Sequence, residues 1–141
     1  MEQLEIKFIP TKDILSIVPL LKKLNKITSE KILKERVLEM TTQHYKCVGM
    51  YINNELIGIA GLWFLTRHYC GKTIEPDHVA INSNYRNQGL GKKLFEWIYN
   101  YAQSIGYEAT ELNTYVHNLK SHRFYENEGY KKLGFHYLKI F

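Results

Sequence analysis

From Leu4 to Ile9 apolar and polar residues alternate with the period of a half-buried strand, and Pro10 closes the run. The rhythm then changes. Thr11 to Asp13 offers a helix N-cap, and Ile14, Ile17, Val18, Leu21 and Leu24 recur at helical spacing, interrupted by Pro19. A second helix is expected from Thr28 or Ser29, without a full capping box, with Ile32, Leu33, Arg36, Val37 and Met40 on one face. Tyr45–Ile52 and Leu56–Leu65 read as two strands of a hairpin joined by Asn53-Asn54, because asparagine tolerates the positive φ of a tight turn.

Ile74–Ile81 is the next expected strand, with its regular part starting only at Asp77, because Pro76 has no N–H for the ladder. Gly89–Ile105 carries the strongest helical pattern: Leu90, Leu94, Trp97, Ile98, Tyr101 and Ile105 line one face, and Gly106 is placed to end it. A strand over Ala109–Val116, a short helix over Asn118–Glu128 stopped by Gly129, and at least one final strand within Tyr130–Ile140 complete the series. This order predicts an α/β (α+β) fold, a mixed, mostly antiparallel central sheet flanked by helices.

Composition narrows the picture. A length of 141 residues with no linker, repeat or low-complexity stretch predicts a single domain over 1–141, and 45% hydrophobic residues suffice for a core. No apolar run is long enough to span a bilayer, and Met1–Lys7 lacks the basic start and apolar run of a signal peptide, so a cytoplasmic protein is expected. Cys47 and Cys70 make no disulfide framework, and the six histidines show no metal-ligand spacing. The net charge of +5 favours an anionic partner. Its basic residues are scattered among acids, which speaks against a nucleic-acid-binding surface. A homodimer would be the common arrangement for a compact enzyme.

The segment from Asp77 to Leu94 carries the chemistry. A strand, a polar turn and a glycine-bearing loop lead into the long helix, whose first N–H groups lack intrahelical partners and carry the positive end of the dipole. Gly89 and Gly91 let backbone approach a ligand, with Arg86, Lys92 and Lys93 nearby, so an anion such as a pyrophosphate fits. A Walker loop is excluded, because Arg86 stands at its first glycine and Lys93 at its hydroxyl position; a dinucleotide fingerprint is excluded by Leu94 at its last glycine.

Arg86-Asn87-Gln88-Gly89-Leu90-Gly91, between an apolar strand and a helix, resembles the Arg/Gln-x-x-Gly-x-Gly/Ala signature of the GNAT superfamily of N-acetyltransferases. Downstream, Asn118, Phe124-Tyr125 and Gly129-Tyr130 resemble the family's Asn…Phe-Tyr-x-x-x-Gly-Phe/Tyr segment, so the likeness covers roughly the second half of the chain. The resemblance implies acetyl-CoA as cosubstrate and an amine of a small molecule or peptide as acceptor. It implies that the pantetheine arm lies along the backbone of Val79, Ala80 and Ile81, on a bulged strand. It further implies that the pyrophosphate takes N–H groups from Asn87, Gln88, Gly89, Leu90, Gly91 and Lys92, that Asn118 contacts the cofactor, and that Tyr125 is the acid protonating the departing thiolate.

Asn118, Ser121 or His122, and Tyr125 lie at helical spacing on one face, an unusual polar row for a core-facing stripe. An attacking amine with a lysine-like pKa near ~10.4 must lose a proton. Glu75 and Asp77 are the candidate bases, on one face of a regular strand. His78, His117 and His122 are weaker candidates, with His78 expected to face away from the acids. Tyr85 is expected to pack beside the loop, while Trp63, Phe64 and Tyr69 either wall an acceptor site or belong to the core. No Cys or Ser with a paired base adjoins the strand, so direct transfer is favoured over a covalent enzyme intermediate. The alternative is a catalytically idle acyl-CoA binding or sensing module on the same fold.

Overall fold

The computed structural model describes residues 3–141. Its sheet has five strands in the order β1-β2-β3-β4-β5: Leu4–Phe8, Tyr45–Ile52, Glu55–Arg67, Gly71–Ile81 and Ala109–Thr110. The first four form an antiparallel meander, while β5 joins β4 in parallel, so the sheet is mixed and mostly antiparallel, as expected. Four α-helices flank it: α1 (Val18–Leu24), α2 (Glu30–Met40), α3 (Leu90–Ser104) and α4 (Leu119–Asn127).

Local chemistry sets most boundaries. Pro19 does not break a helix. A 3₁₀ helix over Thr11–Ile17 hands over to α1 there, and the proline sits in the first turn of α1, where no N–H donor is needed. Ser29 caps α2 by accepting from the Ile32 N–H at 3.3 Å. Asn53 and Asn54 both take positive φ, 51° and 63°, and close the β2–β3 hairpin.

The core lies on both faces of the sheet. One face packs against α3, where Val48, Met50, Ile57, Leu62, Leu94 and Ile98 are sealed from solvent. The other packs against α1, α2 and the preceding 3₁₀ turn, through Ile14, Ile17, Leu20, Val37 and Ile59. On α3 the expected stripe is corrected at two positions. Ile105 is exposed, whereas Phe95 is buried, because its ring packs against Phe124 and Tyr125 of α4 at 5.6 and 5.7 Å.

Three strand expectations are corrected. β4 starts at Gly71 rather than Ile74 and keeps Pro76 inside it, paired opposite Leu62. The strand expected over Ala109–Val116 ends after Thr110, and Tyr130–Ile140 forms no strand.

Pro76 explains the first two corrections together. The Glu111 N–H donates to the Ile74 carbonyl at 3.1 Å, which places the even-numbered backbone groups of this part of β4 on the β5 side. The next rung of a parallel ladder would run from the residue 76 N–H to the Glu111 carbonyl. Proline has no such donor, so the ladder stops and β5 leaves β4. Two residues later β4 bulges. Gly61 pairs with Asp77 but Ala60 pairs with Val79, leaving His78 as the extra residue. Gly61 is required opposite, since a Cβ there would collide with the His78 imidazole. From Pro76 onward, β4 therefore presents a bulged edge that β5 does not cover.

Candidate active site

The loop after β4 is built to leave donors free. Asn82 caps a short 3₁₀ turn (Ser83–Tyr85), accepting from the Asn84 N–H at 3.0 Å. Tyr85 packs against the α3-side core beside the loop, as expected. Asn87 and Gly89 then take positive φ, 62° and 73°, which asparagine tolerates and glycine accepts without strain. Gly89 is the N-cap of α3 and provides no capping side chain. Leu90, Gly91 and Lys92 open the helix, with Leu90 anchored in the core and Arg86 through Gly89 exposed.

Among the described residues, no backbone N–H from Asn87 to Lys92 donates to a carbonyl or side chain; the first to do so is Lys93, to the Gly89 carbonyl at 3.3 Å. Consecutive unpaired donors at the positive end of a long helix make an anion site. Lys92 is tied elsewhere, its Nζ 3.4 Å from Oε2 of Glu128, a carboxylate only 8% exposed. Its backbone N–H still faces the loop, and among the described residues Arg86 and Lys93 beside it make no ion pair.

The second half of the site is α4. Asn118 caps this helix, its Oδ1 accepting from the Ser121 N–H at 3.3 Å, which leaves its amide group available as a donor. Tyr125 is half-buried among Phe95, Phe124 and Tyr130, with ring centroids 5.4 to 5.7 Å away. Burial, and then the neighbouring Tyr130, raise its pKa and keep the phenol protonated.

The carboxylates stand on β4, and here the structure separates two residues that the sequence ranks together. Glu75 lies opposite Trp63 and Asp77 opposite Gly61 on the face toward α1 and α2, so they share a face as expected. His78 does not face away. The bulge brings it to the same side, with Nδ1 3.4 Å from Asp77 Oδ2 and Nε2 2.7 Å from the Tyr45 hydroxyl. Asp77 is further held by the Trp63 indole N–H at 3.1 Å and the His78 backbone N–H at 2.9 Å. Its hydrogen bond to the His78 ring, above all, holds its pKa well below the usual carboxylate range. Glu75 moves the other way. Burial first, then the charges of Asp77 and Glu111, raise its pKa against the pull of Arg67.

Two residues of this cluster were not picked out from the sequence. Arg67 Nε donates to Glu111 Oε2 at 3.0 Å, and its Nη2 lies 3.5 Å from Glu75 Oε1. The Tyr69 hydroxyl also donates to Glu111. These partners are separated by up to 44 positions and meet only where β5 leaves the sheet, so no local spacing could signal them. Trp63 belongs to this cluster through Asp77, whereas Phe64 packs into the core against Tyr101 and Tyr107. His122 is occupied by the Tyr115 carbonyl, at 2.9 Å from Nε2, and His117 stacks on Tyr115.

The family model described as "Acetyltransferase (GNAT) family" matches residues 18–130, from the start of α1 to the residue that ends the α4 turn. The chain belongs to the GNAT acetyltransferase family. An aminoalkylphosphonate N-acetyltransferase of Salmonella typhimurium (strain LT2) is 32% identical over 88 residues; the match takes in 62% of this chain and 57% of that protein. The chain thus matches just over half the length of that curated relative. Among solved structures, a ribosomal-protein-alanine N-acetyltransferase from Brucella melitensis biovar Abortus superposes with a TM-score of 0.82 at 18% identity, covering 99% of each chain. An aminoglycoside N-acetyltransferase in complex with CoA superposes with a TM-score of 0.84 at 13% identity, covering 99% of this chain and 95% of that one. At these identities the superpositions establish the GNAT fold of this chain.

Among the described residues of this GNAT domain, no helix is long and apolar enough to cross a membrane, and no cluster of His, Cys, Asp or Glu is arranged to hold a metal ion. Cys47 is buried, and burial pushes its thiol up to about 12, so it offers no thiolate nucleophile at neutral pH.

Proposed function

We propose that the protein is an N-acetyltransferase that moves the acetyl group of acetyl-CoA directly to an amine, with Tyr125 as general acid and Glu75 as general base. The observation that carries this reading is the run of unpaired N–H groups from Asn87 to Lys92, a ready seat for the cosubstrate's pyrophosphate. Arg86 adds charge beside it, and the Asn118 side-chain amide can reach the cofactor from α4. The pantetheine arm would lie along Val79, Ala80 and Ile81, where the departure of β5 leaves one side of β4 open. Bound acetyl-CoA supplies the thioester whose carbonyl the amine attacks.

The residues of the chain then manage two protons. Glu75, directly or through one water, takes the proton that the amine sheds as its C–N bond forms. Its raised pKa brings it closer to the working pH, whereas Asp77, held low by His78 and Trp63, is a weaker proton acceptor. Asp77 instead fixes the His78 ring and with it the bulge. When the C–S bond breaks, Tyr125 gives its phenolic proton to the thiolate and recovers one from solvent. Acids at Glu75 and Glu111 favour an acceptor that arrives as a cation, and Arg67 between them could pair an anionic group on it. Aminoalkylphosphonates, the substrates named for the Salmonella relative, carry both charges and belong first in a screen.

The test is release of free thiol from acetyl-CoA against aminoalkylphosphonates, aminoglycosides, polyamines and peptides. Turnover is expected with at least one amine, and it should fall strongly in Tyr125→Phe and be slowed in Glu75→Gln. Tight acetyl-CoA binding with no thiol release across the panel would instead favour the idle binding module.

A further inference from the structure

α4 is the element of the site with the least to hold it. It has nine residues, none of them fully buried, and an isolated helix that short is marginal in water. Its rings rest on α3, with Phe124 and Tyr125 against Phe95. Apolar contact is non-directional, so these rings leave the height of α4 along α3 loosely set.

Glu128, just past the end of α4, supplies the directional contacts. Its N–H donates to the Phe124 and Tyr125 carbonyls at 3.0 and 3.1 Å, which joins it to the last turn of α4. Its side chain reaches α3: Oε1 accepts from the Tyr99 hydroxyl at 3.0 Å, and Oε2 lies 3.4 Å from Lys92 Nζ. Lys92, Phe95 and Tyr99 follow one another at i, i+3 and i+7, on the stripe of α3 that meets α4. The two oxygens therefore grip that stripe at two heights. Burial first, then the neighbouring Tyr130 and Glu128, raise the Tyr99 pKa, so its phenol stays a donor. Lys92 is also the last residue whose backbone N–H stands free at the start of α3. The tie thus runs from the phosphate-binding loop to the residue three positions after Tyr125.

Stability alone does not account for this arrangement. The Glu128 side chain is only 8% exposed. Taking a carboxylate out of water is costly, and a well-packed apolar residue of similar volume often stabilises as much. An apolar residue could not fix Lys92 and Tyr99 in direction and distance. We infer that Glu128 is a positioning residue, which sets Tyr125 against the phosphate-binding loop by holding α4 to Lys92 and Tyr99. The inference rests on the proposed role of Tyr125 as acid. Glu128 acts through Tyr125, and a misplacement of about 1 Å can cost on the order of 10²-fold in rate.

The test compares Glu128→Ala with the unaltered chain in two arms. The first needs no turnover. Amide hydrogen exchange of residues 119–127 should speed by at least ~10-fold, as expected for the loss of a hydrogen bond to a charged group, while β2 and β3 exchange as before. The second is a cycle with Tyr125→Phe, reading kcat for thiol release per chain competent to bind CoA. Glu128→Ala should lower kcat by at least ~10-fold in the native background, with the KM for acetyl-CoA changed by less than about 3-fold. In the Tyr125→Phe background it should lower kcat by less than about 2-fold, because no acid is left to misplace. Glu128→Gln, which keeps the acceptor for Tyr99 but not the charge, makes both tests should the alanine variant fail to fold. Equal losses in the two backgrounds would mean a purely structural role, and unchanged exchange in α4 would mean no tie; either overturns the inference. An unaltered chain that binds CoA but releases no thiol would overturn the proposed activity instead, and the exchange arm then decides whether Glu128 holds α4.

Discussion

The two halves of the domain are held together in different ways. From β1 to β4 each strand pairs with the next over most of its length, and both sheet faces are closed by helices. From β5 onward the sheet adds two residues, α4 has no fully buried residue, and residues 131–141 are exposed. The well-paired half supplies a rigid edge with a bulge and a carboxylate pair. The sparsely paired half carries Tyr125, proposed as the acid, the Asn118 cap of α4 and the open side of β4 along which the cosubstrate is proposed to lie. Local stability in proteins is uneven, and binding elements come from the weaker end. Here the division falls at Pro76, where the chain lacks one donor.

Substitutions can break this contrast in order of size. The largest effect is expected at Tyr125→Phe, which removes the acid but not the ring: turnover should fall about 10²–10⁴-fold, or roughly 3–5 kcal/mol of barrier, with little change in Tm. The mirror case is Ile59→Ala in the well-paired half, which should cost about 2–5 kcal/mol in chemical denaturation. Equal destabilisation by Leu133→Ala, at an exposed position of the last segment, would erase the contrast.

The carboxylates give the next effect, with opposite signs. Glu75 has a raised folded-state pKa, so its contribution to stability is present below its ordinary value of 4.5 and lost as pH rises through the raised value. Glu75→Gln should therefore raise Tm at pH 7 while slowing turnover and removing the acidic limb of the rate profile. Asp77 has a depressed pKa, so its contribution is present above its ordinary 3.8 and lost as pH falls. Asp77→Asn should lower Tm at pH 7, and a rise in both variants would contradict the separate roles.

Smaller still is Gly89→Ala, which forces a side chain into left-handed backbone at a cost of about 1–2 kcal/mol and should weaken CoA binding in calorimetry. The smallest is Pro76→Ala. It restores the donor that would extend the β4–β5 ladder, with a change under about 1 kcal/mol in stability but a measurable rise in the KM for acetyl-CoA.

Much of this was legible in the residues. The Asn53-Asn54 hairpin, most of the α3 stripe and the order of elements as far as α4 follow from local preferences that packing did not override. The loop was legible too, because its glycines, its arginine and the helix behind it lie within a few positions. The failures share a cause. A run such as Ala109–Val116 alternates like a strand, yet a strand needs a partner, and Pro76 more than thirty positions earlier withdraws it. Tyr130–Ile140 also carries a strand pattern, yet among the described residues nothing pairs with its backbone after Tyr130. The Glu111–Arg67–Glu75 cluster exists only where those strands separate, and His78 turned toward the acids because a bulge, invisible to periodicity, shifted the face count by one.

The central claim is that the free N–H groups of residues 87–92 seat the cosubstrate's pyrophosphate. Amide NMR during titration with acetyl-CoA, and separately with pantetheine, which lacks the pyrophosphate, tests it most directly. The account predicts large amide shifts across Asn87–Lys92 with acetyl-CoA and none there with pantetheine. Saturable binding of acetyl-CoA that leaves those amides unmoved would contradict it.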